Sequence, residues 1–302
     1  MTQIRCHHDA DGITSGYFLS FTIPNSKIEI WNGKFGDTTG LKRDDWMVDM
    51  RPIQNMKDLN VIDHHLPHRE DREYKLISDI HPASFITWNL YKEEIPKQEW
   101  WKLAIGLVGD GQPELIPTEV YDSCPQLLTD FKTSVYQSYG KWNIGYYPSY
   151  KLLSSYINAL LRTKRFEDAL NLVAYSQNPK DILNSTKARG AKADVKKNLE
   201  DILKTCNSYD FQDLAIFIFE SEYRMSGYLA STLQSSLSGK TIMAINRLDG
   251  SGSLRGDLAH YWRDKLKHLE YLQIDGHPGF CGLNISCNPD TLVEDIIRML
   301  GV

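Results

Sequence analysis

Cys6-His7-His8-Asp9-Ala10-Asp11-Gly12 is the stretch on which the reading of this chain turns. A short strand-like run, residues 4–7, leads into it, and residues 13–21, beginning Ile13-Thr14-Ser15-Gly16-Tyr17-Phe18-Leu19, follow it as a helix. In an extended chain His7, Asp9 and Asp11 project to one side, because successive side chains alternate. An imidazole and two carboxylates on one side suit a hard divalent cation, and Gly12 lets the backbone turn close to it. A plainer reading stands beside this one: carboxylates near a helix start accept its free N–H groups and complement its dipole. His8 points to the opposite face of an extended chain and falls outside the candidate set.

Working outward, 302 residues are enough for one large domain or two of ordinary size. A hydrophobic fraction of 41% with 24% charged residues is that of a globular protein in water. No apolar run reaches bilayer length, and no basic region followed by an apolar core stands at the start. A cytoplasmic protein without signal peptide, anchor or membrane partner is therefore expected. The five cysteines, Cys6, Cys124, Cys206, Cys281 and Cys287, include no C-x-x-C pair, which points to reduced thiols without a disulfide framework or structural zinc. A net charge of −5 argues against coating nucleic acid by charge alone. It leaves room for a nuclease whose carboxylates gather around cations.

Strand-like runs at 4–7, 27–31, 46–49 and 59–63 alternate with helical periodicity at 13–21, 83–91 and 100–108. This alternation predicts a parallel sheet, in which ligands bind beyond the carboxyl ends of the strands. From 115 to 204 the pattern reads as helical, at 151–161, 166–176 and 182–205, the last with a charged, solvated face. It resets near 208, with strands at 214–219 and 241–246, a helix at 226–237, and a Gly/Ser-rich turn, Asp249-Gly250-Ser251-Gly252-Ser253. The expected fold is α/β: a parallel-sheet domain with a helical extension over 1–181, a linker helix over 182–206, and a smaller α/β domain over 207–302.

Polar residues close several of the apolar runs. Asp49 follows Trp46-Met47-Val48, and Asp63-His64-His65 follows Leu59-Asn60-Val61-Ile62. Adjacent histidines after a buried strand need partners; neutral imidazole is a metal ligand, and a neighbouring carboxylate fixes its tautomer. Asp110 sits in Gly109-Asp110-Gly111 after an apolar helix. Ser84 reads as a cap of the helix that follows it. His68-Arg69 reads as a phosphate contact or a solvated loop. Tyr136, Tyr139, Trp142, Tyr146, Tyr147 and Tyr150 read as base-stacking rings or as helix packing.

These motifs, in this order and spacing, resemble the DHH phosphoesterase family: His7-x-Asp9-x-Asp11-Gly12, then Asp49, Asp63-His64-His65, and Asp110 between glycines. Two later stretches, Ser251-Gly252-Ser253-Leu254-Arg255-Gly256 and Gly276-His277-Pro278-Gly279-Phe280-Cys281-Gly282, look like the signatures of the DHH-associated substrate-binding domain. The resemblance covers both ends of the chain, and residues 120–200 carry no motif of it. It implies two Mn2+ ions, or Mg2+, held by His7, Asp9, Asp11, Asp49, His64 and Asp110, with Asp49 bridging. His65 would face the phosphate and Asp63 would orient a histidine, while Ser253, Arg255, Gly276 and His277 would bind substrate. A glycine-rich hairpin with a surface Arg and His is the plainer reading of that last group.

The implied activity is a RecJ-like exonuclease on single-stranded DNA or RNA or on short oligonucleotides. Alternatives are a small-nucleotide phosphodiesterase or phosphatase acting on a cyclic dinucleotide or 3′-phosphoadenosine 5′-phosphate, a pyrophosphate or polyphosphate hydrolase, and a non-catalytic replication scaffold. A homodimer is compatible with the family. The chain departs from the family at Asp275-Gly276, where several glycines are usual, at Phe280-Cys281-Gly282, and at Gly256-Asp257. These departures bear on substrate contact and leave the metal motifs intact.

Overall fold

The computed structural model describes residues 1–33, 35–65, 70–138, 141–237, 239–277 and 279–301, with the backbone alone at 135–138, 141, 142, 275 and 277. His68 and Arg69 lie outside the described residues. The chain forms two compact units, Met1–Thr133 with Tyr146–Lys192, and Ser134–Gly145 with Ala193–Val302.

The first unit opens with β1 (Gln3–Cys6), α1 (Ala10–Leu19), β2 (Lys27–Ile30), β3 (Trp46–Val48), β4 (Asn60–Ile62) and β5 (Lys75–Ile77). The five strands form one parallel sheet in the order β2-β1-β3-β4-β5. Alternation along these short strands feeds two cores. Ile4, Cys6, Val48 and Ile62 pack with Leu19, Ala83 and Ile86. Met47 and Val61 pack with Leu41, Met50, Leu59 and Tyr74. Both faces of the sheet are thus covered, as a parallel sheet requires. The strand order reverses between β1 and β3, and the crevice at such a switch point is where open α/β sheets bind ligands.

Helix α2 (Ala83–Tyr91) and helix α3 (Leu103–Gly109) pack against α1. Gly106 makes this approach possible, since a Cβ there would lie 2.2 Å from Ser84 Oγ. The 3-10 turn Lys97–Lys102 precedes α3, and its last residue is fully buried. Lys102 Nζ donates to Glu99, to Tyr17 Oη at 3.1 Å and to the Ala174 carbonyl at 3.3 Å, while Tyr17 donates to Glu99 at 2.9 Å. Burial pulls the Lys102 ammonium below its ordinary range, and Glu99 opposes the shift.

Between α4 (Thr118–Ser123) and α5 (Tyr150–Arg162) the chain departs from the helical reading. β6 (Asp130–Ser138) and β7 (Lys141–Pro148) form a two-stranded sheet. Phe131, Thr133, Val135, Trp142, Ile144 and Tyr146 recur every second residue, and β-branched and aromatic residues fit a pleated surface. Tyr146 is 68% exposed, so helix packing does not explain it. α6 (Phe166–Tyr175), α7 (Pro179–Asn184) and α8 (Thr186–Thr205) follow. The helix expected over 182–205 is therefore broken at Ser185, after the capping box that Asn178 and Asp181 build at the start of α7.

The second unit carries β8 (Asn207–Asp210), β9 (Leu214–Phe219), α9 (Ser226–Gln234), β10 (Thr241–Asn246), β11 (Ser251–Arg255), α10 (Ala259–Leu266), β12 (Leu272–His277), β13 (Phe280–Ile285) and α11 (Pro289–Leu300). Its six-stranded sheet has the order β12-β13-β11-β10-β9-β8, with β9 and β10 parallel and the other pairs antiparallel. Leu254 of β11 belongs to a core with Trp262, Leu283 and Ile296. The expected turn at 249–253 is strand from Ser251 on, because Gly252 still pairs with Ile245 on one side and Leu283 on the other. No helix among the described residues is long and apolar enough to cross a membrane.

Breaking a buried ion pair from one side leaves an uncompensated charge. Lys102→Ala is expected to lower the unfolding free energy by about 3–5 kcal/mol, read from urea titrations. A loss below about 1 kcal/mol would rule out a supporting role for the Lys102–Glu99–Tyr17 cluster.

Candidate metal centre

Sheet hydrogen bonding continues one residue past three strands and thereby sets the site. The His7 N–H donates to the Val48 carbonyl at 3.1 Å, Asp49 N–H to Ile62 at 2.8 Å, and Asp63 N–H to Ile77 at 3.1 Å. Three polar residues leave neighbouring strand ends in fixed register at the switch point. Asp49 turns sharply there, with φ +58°, in the left-handed region.

Asp49 is 1% exposed. Its Oδ1 lies 3.2 Å from His64 Nε2 and 3.8 Å from His65 Nδ1, and its Oδ2 lies 3.4 Å from His7 Nδ1. Despite this crowding Oδ1 accepts no hydrogen bond of good geometry. Ligand atoms of His7, Asp9 and Asp49 lie within 4.8 Å of one another, and so do those of Asp49, His64 and His65. Two imidazole-and-carboxylate sets that share one buried carboxylate fit a pair of divalent cations with Asp49 between them.

The two oxygens of Asp9 have separate partners. One oxygen accepts the Gly12 N–H at 2.9 Å and caps α1; the other lies 2.8 Å from His7 Nδ1. Asp63 is fully buried, and the His65 Nδ1–H donates to it at 2.6 Å, which fixes the tautomer of that ring. His8 places its Nδ1 3.1 Å from the Trp31 carbonyl, with its ring centroid 4.3 Å from that of His7.

Asp11 and Asp110 are placed differently from these five residues. Asp11 accepts the Ala83 N–H at 2.8 Å, the Ser84 N–H at 3.1 Å and the Ser84 hydroxyl. It caps α2 from another helix, where Pro82 offers no side-chain cap. The expectation that Ser84 caps α2 is corrected accordingly: its hydroxyl serves Asp11. Asp110 ends α3 and accepts from Gln112 Nε2 at 3.3 Å. Neither belongs to the two ligand sets among the described residues. Phe35 was not singled out by the sequence, yet its ring centroid stands 5.4 Å from that of His7 and 5.5 Å from that of His65. A lone Phe in a polar loop carries no signal of such a position.

Crowded carboxylates dominate the electrostatics. Burial alone would lower His7, but Asp9 and Asp49 outweigh it and hold the imidazole up to about 10. His64 is likewise held up to about 10 against burial, by Asp49 first and then by Asp11 and Asp110. Burial pushes Asp110 up to about 7, opposed by His64 and reinforced by Asp49 and Asp9. Asp11 is raised by burial and by Asp49, whereas His7 holds Asp9 far below the usual carboxylate range in spite of burial.

In the second unit Ser253 and Arg255 lie on β11, with Arg255 Nε donating to Ser253 Oγ at 3.1 Å and the guanidinium 4.6 Å above the Phe280 ring. Arg255 pairs with Phe280, and Phe280 with His277, so the two signatures meet in one row across β11, β13 and β12. The His277 side chain is outside the described atoms. Gly276, at φ +141°, accepts from Arg263 Nη1 through its carbonyl at 3.1 Å.

No protein-family model and no curated protein matches the chain. Solved structures do. RecJ from Thermus thermophilus in complex with Mn2+ superposes with a TM-score of 0.65 at 14% identity, over 97% of this chain and 50% of RecJ. An exonuclease RecJ bound to manganese gives 0.61 at 14%, over 94% and 86%. The pGpG-specific phosphodiesterase PggH from Vibrio cholerae gives 0.52 at 12%, over 100% and 99%. The present chain spans half the length of the Thermus RecJ chain. It is an α/β protein with a five-stranded parallel sheet and a second, mixed sheet. Its fold is that of the DHH phosphoesterases.

Folded, metal-free protein binds more protons than the unfolded chain over the range in which Asp110 titrates at about 7 against 3.8, and His7 and His64 at about 10 against 6.5. Stability then falls as pH rises through that window. Asp9 acts in the opposite sense only below its ordinary 3.8. The urea midpoint in chelator is expected to be lower at about pH 9 than at about pH 6, and added Mn2+ should reverse the trend, since ligation takes deprotonated imidazole. A midpoint that rises with pH in chelator would contradict this.

Proposed function

We propose that the chain is a divalent-metal-dependent phosphodiesterase that cleaves nucleotide phosphodiester bonds in single-stranded nucleic acid or short oligonucleotides. The observation that carries this reading is Asp49, buried, with imidazoles on both its oxygens and shared by two ligand sets. Support comes from the fold, since the similar RecJ structures are described with Mn2+ or Mg2+ bound.

His7, Asp9, Asp49 and His64 would hold two Mn2+ or Mg2+ ions, and Asp11 and Asp110 add negative charge beside them. When bound, such ions lower the pKa of a water nucleophile and offset charge on phosphate oxygens. His65, held at Nδ1 by Asp63, would face the phosphate through Nε2. Ser253 and Arg255 of β11, with Gly276 and His277 of β12, would supply a hydroxyl, a guanidinium and backbone for a phosphate. An arginine paired with a serine suits a diester oxygen pair better than the lysines expected of a pyrophosphate site.

Purified chain with Mn2+ should hydrolyse pGpG and short single-stranded oligonucleotides and lose activity in chelator. Asp49→Ala should cut the rate by more than about a hundredfold with the protein still folded. Full activity in that variant, or turnover confined to pyrophosphate, would overturn the proposal.

A further inference from the structure

Phe35 is a large apolar side chain left 36% exposed beside the proposed centre. Its ring meets His7 at an interplanar angle of 86° and His65 at 77°, so one ring spans an imidazole from each ligand set. The loop that carries it is anchored. Gly36, at φ +73°, accepts the Ile53 N–H at 2.8 Å through its carbonyl, and a Cβ there would lie 2.1 Å from the Arg51 carbonyl. Buried Arg5, stacked 3.8 Å over Trp31, donates to the Asp37 carbonyl at 2.9 Å, and Thr38 donates to Gln54 at 2.6 Å. Both the Asp49 turn and the Phe35 loop thus lean on the segment 49–54.

We propose that Phe35 is the platform on which the nucleobase next to the scissile phosphate stacks, so that the site selects base-bearing phosphodiesters over phosphoanhydrides. This rests on the reading of the histidine–aspartate cluster as a phosphoesterase centre. In a nucleotide the base is one sugar away from phosphorus, and a ring beside the imidazoles that face the phosphate stands where that base arrives. Stacking on an exposed aromatic face is tolerant of base identity. Pyrophosphate has no group that would use the ring. Contact of its edge or face with two imidazoles also limits how far the ring can tilt, which keeps the platform ready before substrate arrives.

Steady-state kinetics of the Mn2+-loaded protein separate the outcomes. Phe35→Ala should raise KM for pGpG about tenfold with kcat nearly unchanged, leave KM for the same dinucleotide lacking its bases unchanged, and leave Mn2+ binding by calorimetry unaltered. Phe35→Tyr should restore the KM. Equal rises for the base-bearing and base-free substrates would make Phe35 a support for the loop and overturn the proposal, as would an unchanged KM for both. If the wild type hydrolyses no nucleotide, the phosphodiesterase reading fails by itself. Stacking is then read without turnover, from the quenching of a 2-aminopurine dinucleotide bound to wild-type and Phe35→Ala protein; equal quenching overturns the proposal.

Discussion

The amino-terminal unit is organised by mutual repulsion held in check. Asp9, Asp11, Asp49 and Asp110 influence one another's charge from three strand or helix ends, and His7, His8, His64 and His65 offset them. Left to themselves these carboxylates would push the strand ends apart. They stay together because the sheet ladder reaches past β1, β3 and β4 to the residues that carry the charge. The hydrophobic layers on both faces of the sheet hold the ladder in turn. Asp11 shows the economy of the arrangement. One carboxylate completes the first turn of α2 and, through the Ser84 hydroxyl under Gly106, ties three helices to the same point.

Much of this was legible in the sequence because short buried strands have a distinctive grammar: an apolar run stopped by a charged residue. Asp49 after Trp46-Met47-Val48 and Asp63 after Val61-Ile62 announced both strand and site. Of the two readings of Asp9, the cap is seen directly, and it leaves the second carboxylate oxygen beside His7. The capping partners of Asp11 could not be read, since they lie more than seventy residues away on α2. β6 and β7 were missed for a different reason. Phe131, Thr133, Val135, Trp142, Ile144 and Tyr146 recur at a period of two that is passed over unless it is counted, and helices flank the segment on both sides.

The second unit shows the same limit in milder form. Glycines made residues 249–253 look like a turn, yet Gly252 pairs within β11 and Gly276 within β12. At Gly276 the absence of a side chain brings backbones close: a Cβ there would lie 2.5 Å from the Phe280 carbonyl oxygen. The register then carries information that no linear spacing holds. Arg255 and His277 are twenty-two positions apart in sequence and occupy a single row, with Phe280 between them. The bulky residue that marked a departure from the family pattern is the surface on which the guanidinium rests.

Position 49 has almost no freedom to vary. Its backbone stands at φ +58°, a region that glycine, asparagine and aspartate tolerate and bulkier side chains resist. Three imidazoles around its side chain call for a negative charge of short reach. Glycine and asparagine meet the first demand without the second, and glutamate the second without the first. Of the twenty amino acids only aspartate meets both. Divergent relatives of this chain could rebuild nearly every neighbouring surface while this one residue stayed fixed, held jointly by stereochemistry and by charge.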